Sequence, residues 1–264
     1  MTPYIIPILL CLTFVFYSIA GTSYFFPKSQ KIAPIFAITA FIQHTFTLWL
    51  FYKAVETLPS SNVYGLIEVM AWGCAVVSLC GMVFKVEAFK KLPLLASAVL
   101  TIIPLCCPVF TSNVSTPQTP STLTIQMHAL FAGLSYAMMF ASFVLAIAYL
   151  RKSSNLKHKI EHNSKNIISL EALNKAVKKT ILLASLTMMI SIILGILGMP
   201  SGKTEYPLLI KIIIGCSIFF VQIYIALNIV FQNIKATTLA KITTLLIVLS
   251  IAALFPIELR RFFL

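Results

Sequence analysis

Four ionisable side chains stand inside apolar stretches long enough to cross a bilayer: His44 in AFIQHTFTLW, Glu68 in GLIEVMAW, His128 in LTIQMHALF and Lys211 in YPLLIKIII. A charge in hydrocarbon is costly, so each marks a candidate site and calls for a partner. A neutral imidazole costs less, and its nitrogens suit iron ligation, proton relay or a hydrogen bond between helices. Glu68 and Lys211 carry opposite charge and fall at similar depth, roughly 9 Å from one face at 1.5 Å per residue. They are expected to pair or to share a polar pocket. Trp72 continues the helix of Glu68 and either stacks on a flat ligand or packs in the core.

These residues need helices to hold them. The 264-residue chain is 59% hydrophobic and 10% charged, with no Asp and only seven acidic residues. Soluble domains carry about a quarter charged residues, so the expected fold class is all-α, a polytopic transmembrane helix bundle. Windows of about 20 apolar residues give eight spans: Tyr4–Phe26, Ile32–Val55, Asn62–Phe84, Leu92–Phe110, Leu123–Leu150, Ile181–Met199, Pro207–Phe231 and Leu239–Ile257. The first has no basic flank and is read as a retained span, not a signal peptide. The whole chain, 1–264, reads as a single integral membrane domain.

The loops alternate in charge. Lys53, Lys203, Lys211, Arg260 and Arg261 lie on one side, and every other Lys and Arg lies on the opposite side, in loops 1–2, 3–4, 5–6 and 7–8. Positive residues stay inside, so both termini are expected outside. On that topology His128 lies roughly 7–8 Å from the outer end of its span and His44 roughly 16 Å from the same face. The two histidines therefore fit separate sites better than one shared iron. The net charge of +13 reflects this topology and contact with anionic membrane lipid, not nucleic acid.

The main inner feature is the basic loop Arg151–Thr180. Within it, Ile168, Leu170, Leu173 and Val177 are spaced for a helix lying on or against the membrane. His158 and His162 stand at metal-like spacing, but Lys157, Lys159 and Lys165 surround them, and a solvated basic face is the better reading. The six cysteines fall in apolar segments without metal-ligand spacing. No nucleophile–base constellation, phosphate loop or internal repeat is present in the sequence.

Three segments in order carry a family resemblance: HTFTLWLFYKAVETLPSSNVYGLIEVMAW, HALFAGLSYAMMFASFVLAIAYL and IISLEALNKAVKKTILLASLTMMISIILGILG. Together they resemble the CcsA/HemX/YpjD-like cytochrome c assembly proteins, the haem-handling family, in its short eight-span form. The resemblance implies a bacterial inner-membrane, multi-pass, non-enzymatic protein of cytochrome c biogenesis that binds or presents non-covalent b-type haem near the outer face. It implies a partner assembly membrane protein and contact with apocytochrome c. Asn62, Tyr64 and Trp72 match the family pattern after span 2. His128 matches the external haem-ligand histidine, and His44 matches an early membrane histidine. Tyr64, Trp72 and Tyr136 are expected to line the haem cavity. The family's tryptophan-rich tract corresponds here to GMPSGKTEYPLLIK, without Trp or Asp, and no second external histidine follows. The expectation is therefore ligation of the haem iron from one side, by His128. Two other readings stand beside it: a haem-free scaffold that recruits its partner through loop 151–180, and a small-molecule transporter using Glu68 and Lys211.

Overall fold

The structure is a computed structural model that describes residues 2–55, 63–106, 122–157, 168–198 and 206–263. They form eight helices: α1 (Thr2–Ser23), α2 (Ala33–Val55), α3 (Val63–Val83), α4 (Glu87–Cys106), α5 (Leu123–Lys157), α6 (Leu170–Leu197), α7 (Tyr206–Val230) and α8 (Ala236–Phe263). Seven contain stretches long and apolar enough to cross a membrane, and Ala236–Ser250 of α8 adds a shorter apolar one. No strand occurs among the described residues. A helix satisfies its own backbone, which is what a segment in lipid must do. The helices are apolar nearly all round, and large side chains such as Ile42, Trp49, Ile193 and Phe220 stay exposed, as a lipid-facing surface requires.

The expected polytopic helix bundle is therefore what forms, with eight helices of which seven are long and apolar enough to span, and with corrections at several helix ends. Helix α4 begins at Glu87, before the first apolar residues of its span, because Glu87 in the first turn pairs with Lys90 and Lys91 one turn on. Helix α5 continues past Leu150 to Lys157. Helix α6 begins at Leu170, capped by Ser169, whose hydroxyl accepts from the Ala172 amide. The amphipathic stretch Ile168–Val177 is thus not a separate surface helix. From Leu170 on it is the first two turns of α6, and Leu173 and Val177 are buried in the core. Hydropathy windows miss such ends because charged residues there lower the average while the helix runs on. His158 and His162 lie outside the described residues.

The helices pack as two halves. In the first, α1 rests on α2 and α4, and α3 on α4, around Tyr17, Ala20, Ala37, Ala75 and Leu94. In the second, α5 lies against α6 and α8, and α6 against α7, around Met139, Leu145, Ile181, Ile225 and Ile247. The seam between the halves is made of small residues: Ala71 and Cys74 of α3, Ala96 of α4, Ala137 and Ala141 of α5. Small residues let helices approach where no hydrophobic effect drives them together. Cys74 Sγ donates to the Ala137 carbonyl across this seam at 3.4 Å.

Close approach is tightest at the α3–α4 turn. A Cβ at Gly81 would stand 2.8 Å from the backbone nitrogen of Lys90 and 2.5 Å from Phe89 Cβ. That turn also holds Lys85 at φ 55° and the Val86 amide bonded to the Gly81 carbonyl, so the backbone has nowhere to move. Gly81→Ala should cost about 1–3 kcal/mol by overpacking, read as a lower thermal unfolding midpoint of the purified protein. Gly215→Ala, where an added methyl meets nothing within 4 Å, should leave that midpoint unchanged or raise it.

Candidate functional site

Two polar groups occupy the interior, one in each half. The first joins α1, α2 and α3. His44 is fully buried, and its Nε2 stands 3.0 Å from Glu68 Oε2. Its Nδ1 stands 3.3 Å from the Tyr17 hydroxyl, with the two rings edge to face. Glu68 is 5% exposed and Tyr17 0%. The neighbouring turns tie the same helices: the Gln43 amide donates to the Leu9 carbonyl at 2.8 Å, and Trp72 Nε1 donates to Thr45 Oγ1 at 2.9 Å. The Trp72 indole also stacks on Phe41 with ring centroids 5.4 Å apart.

The buried carboxylate thus has its partner in His44. Glu68 had been expected to pair with Lys211, but α3 packs on α2, α4 and α5, whereas Lys211 belongs to α7, which packs on α6 and α8. The side chains of Lys211 and Tyr64 lie outside the described residues. Sequence reasoning found His44 and Glu68 separately and missed that they face each other. It missed Tyr17 altogether, since a tyrosine in an apolar span carries no mark of its own.

The second group joins α5 and α6 near the start of α5. His128 Nδ1 lies 2.7 Å from the Ser191 carbonyl and 3.0 Å from Ser191 Oγ. The same hydroxyl donates to the His128 carbonyl at 3.0 Å. The carbonyl can only accept, so the proton sits on Nδ1, and Nε2 keeps its lone pair. Among the described residues none hydrogen-bonds Nε2. Gly195, one turn beyond Ser191, lets the ring lie against α6: a Cβ there would fall 2.9 Å from Nδ1 and 3.0 Å from Cε1. The ring is half-buried. Leu123, Ile196 and Leu197, at the same ends of α5 and α6, are exposed apolar surface.

This is the arrangement by which a ligating histidine is commonly fixed: one nitrogen bonded to a backbone carbonyl, the other presented to a metal. His44, by contrast, has both nitrogens facing protein groups. Trp72 is committed to Thr45 and Phe41, and Tyr136 is buried in the core of the second half. The structure thus brings His44 together with Glu68 and Tyr17, with Trp72 at the same helix junction. It brings His128 together with Ser191 and Gly195. No hydrogen bond or ion pair joins the two groups among the described residues. Ser191 and Gly195 carried a faint signal, a small polar and a small residue four apart in a span.

The fold and these groups define a polytopic helical membrane protein with intramembrane histidine sites. The profile of the family described as "Cytochrome C assembly protein" matches residues 4–197, and the chain belongs to that family. Neither a curated relative nor a solved structure matches it. Family membership implies a role in cytochrome c biogenesis and an association with haem handling. The matched region takes in both histidine groups and ends within α6, leaving α7 and α8 beyond it.

Nitrogen-15 NMR of protein with labelled histidine should show the His128 imidazole held as the Nδ1-protonated tautomer. Gly195→Ala, which forces the ring off α6, should shift that resonance and shorten its hold on Ser191. An unshifted signal would show that the ring does not lie against Gly195.

Proposed function

We propose that the protein binds and presents haem near the outer face of the bacterial inner membrane during cytochrome c maturation, with His128 Nε2 as the iron ligand. The observation that carries this reading is the His128–Ser191 contact, which fixes the ring and leaves one nitrogen with a free lone pair beside exposed apolar surface. A haem macrocycle is flat and largely apolar, so Leu123, Ile196 and Leu197 suit its face while the imidazole suits its iron. Haem here is cargo: held non-covalently as b-type, then given up to the thiols of an apocytochrome. The chain's own contribution is to hold and orient, not to catalyse bond formation.

Ligation comes from one side. His44 is assigned no iron, because taking one would break its contact with either Tyr17 or Glu68. A ligand on one face leaves the other open to the client or to a partner membrane protein, which a delivery role favours over permanent storage. The charge bias of the loops supports the outer placement of His128 and of both termini. The exposed apolar helices support contact with lipid and with partner helices.

Protein purified after expression with abundant haem should show a Soret band. His128→Gly should lose most of it, and added imidazole should restore it by filling the vacated position. Ser191→Ala should weaken haem affinity by up to roughly 10-fold, the lower end for loss of an outer-shell partner. Colourless wild-type protein, or a band indifferent to His128→Gly, would overturn the reading.

A further inference from the structure

The Tyr17–His44–Glu68 group takes no part in the haem reading, yet it places three titratable side chains in one line across three helices. Glu68 Oε1 is sealed from solvent and has no hydrogen-bond partner, and neither Oε2 nor His44 Nε2 makes a well-aligned hydrogen bond despite lying 3.0 Å apart. A structural tie would be better made.

Charge decides what belongs there. From α1 the group faces Tyr17, from α2 His44, and from its own helix Cys74, which is buried. The titratable residues of α4 are Glu87, Lys90 and Lys91 in its first turns and Cys106 at its end, whose side chain lies outside the described residues. Those of α5 on this side are His128, turned to Ser191 on α6, and Tyr136, buried in the other half's core. No cation other than His44 itself therefore faces Glu68 among the described residues. An ionised Glu68 beside a neutral His44 would leave a lone charge in hydrocarbon, and a protonated Glu68 beside a protonated His44 would leave one of the other sign. Two forms escape both costs: imidazolium with carboxylate, and imidazole with carboxylic acid. Both contain one proton between Nε2 and Oε2 and differ only in where it lies. In both, Nδ1 carries a hydrogen that it donates to the Tyr17 oxygen.

We propose that Tyr17, His44 and Glu68 form a one-proton binding site within the membrane, separate from the haem ligand, with the proton shared between His44 Nε2 and Glu68 Oε2. Glu68, in the second turn of α3, is the member nearest the helix end and exchanges that proton with the outer side. No bond other than O–H and N–H is made or broken. Tyr17 fixes the imidazole so that its second nitrogen keeps aim at the carboxyl. The helices involved are lightly held otherwise: α1 and α2 are among the least buried candidate spans. The occupied site therefore adds to the Gln43–Leu9 and Trp72–Thr45 bonds that seat α2 against α1 and α3.

Infrared difference spectroscopy tests this on haem-free full-length protein in lipid nanodiscs, so its outcome does not depend on haem binding. Between acidic and alkaline samples, the wild type should show one carboxyl signal with slow hydrogen–deuterium exchange, moved by carbon-13 glutamate labelling and accompanied by an imidazole band. Glu68→Gln should abolish both, Glu68→Asp should shift the carboxyl signal, and His44→Gln should change the pH at which it appears. Tyr17→Phe should retain the signal but alter the imidazole band. The proposal fails if the folded wild type shows no slowly exchanging carboxyl signal, which needs no variant to read. It also fails if such a signal survives Glu68→Gln, or is unmoved by His44→Gln while circular dichroism shows the variant folded.

Discussion

Everything polar in this bundle answers to one constraint: inside hydrocarbon there is no water to satisfy a donor, an acceptor or a charge. Serine and threonine hydroxyls meet it locally, turning back to carbonyls one turn earlier, as Thr13, Ser97, Thr101 and Thr180 do. Side chains that cannot do so reach across a helix crossing, and each such reach fixes two helices at one register. Gln43 to Leu9, Cys74 to Ala137, Ser135 to Ala184 and Ser191 to His128 are four such crossings. Apolar packing alone would allow helices in lipid to slide, because lipid tails satisfy an apolar face nearly as well as another helix does. The polar crossings give the bundle one arrangement.

The two histidines show the same constraint solved in opposite ways. His44 is enclosed, and both nitrogens are turned to side chains that can themselves titrate. His128 is half-enclosed, with one nitrogen turned to a carbonyl that cannot. A carbonyl partner fixes a tautomer, whereas a carboxyl partner shares a proton. The difference in chemistry between the two sites therefore follows from which atom stands opposite each ring, more than from the rings themselves.

Much of this was legible in the residues. The number and order of the helices and the two histidines within apolar helices follow from hydropathy and from the cost of burying an ionisable group. The two histidines have separate partners, Tyr17 and Glu68 for His44 and Ser191 for His128. Partner choice was not legible. Glu68 was matched with Lys211 on charge and depth, but depth along the membrane normal says nothing about which helices are neighbours, and Glu68 has an imidazole beside it. The C-terminal end of α5 and the N-terminal end of α6 were hidden because Lys and Arg end an apolar window without ending a helix. Tyr17 was invisible, and Ser191 only faintly marked, because their importance lies in what they face.

The length of α5 has a consequence for the environment of its histidine. Its apolar part, Leu123–Leu150, is roughly 42 Å long at 1.5 Å per residue. That matches the full bilayer with its headgroup zones, about 40–45 Å, and exceeds the hydrocarbon layer of about 30 Å. A helix that fills the whole thickness leaves His128 close to the boundary between acyl chains and headgroups. In that layer the dielectric changes steeply, so an amphiphile can keep its charged edge wet and its ring plane in oil. A tilt of α5 would carry the imidazole across this gradient, and hydrophobic mismatch between helix and membrane would then decide which of the two media the histidine meets.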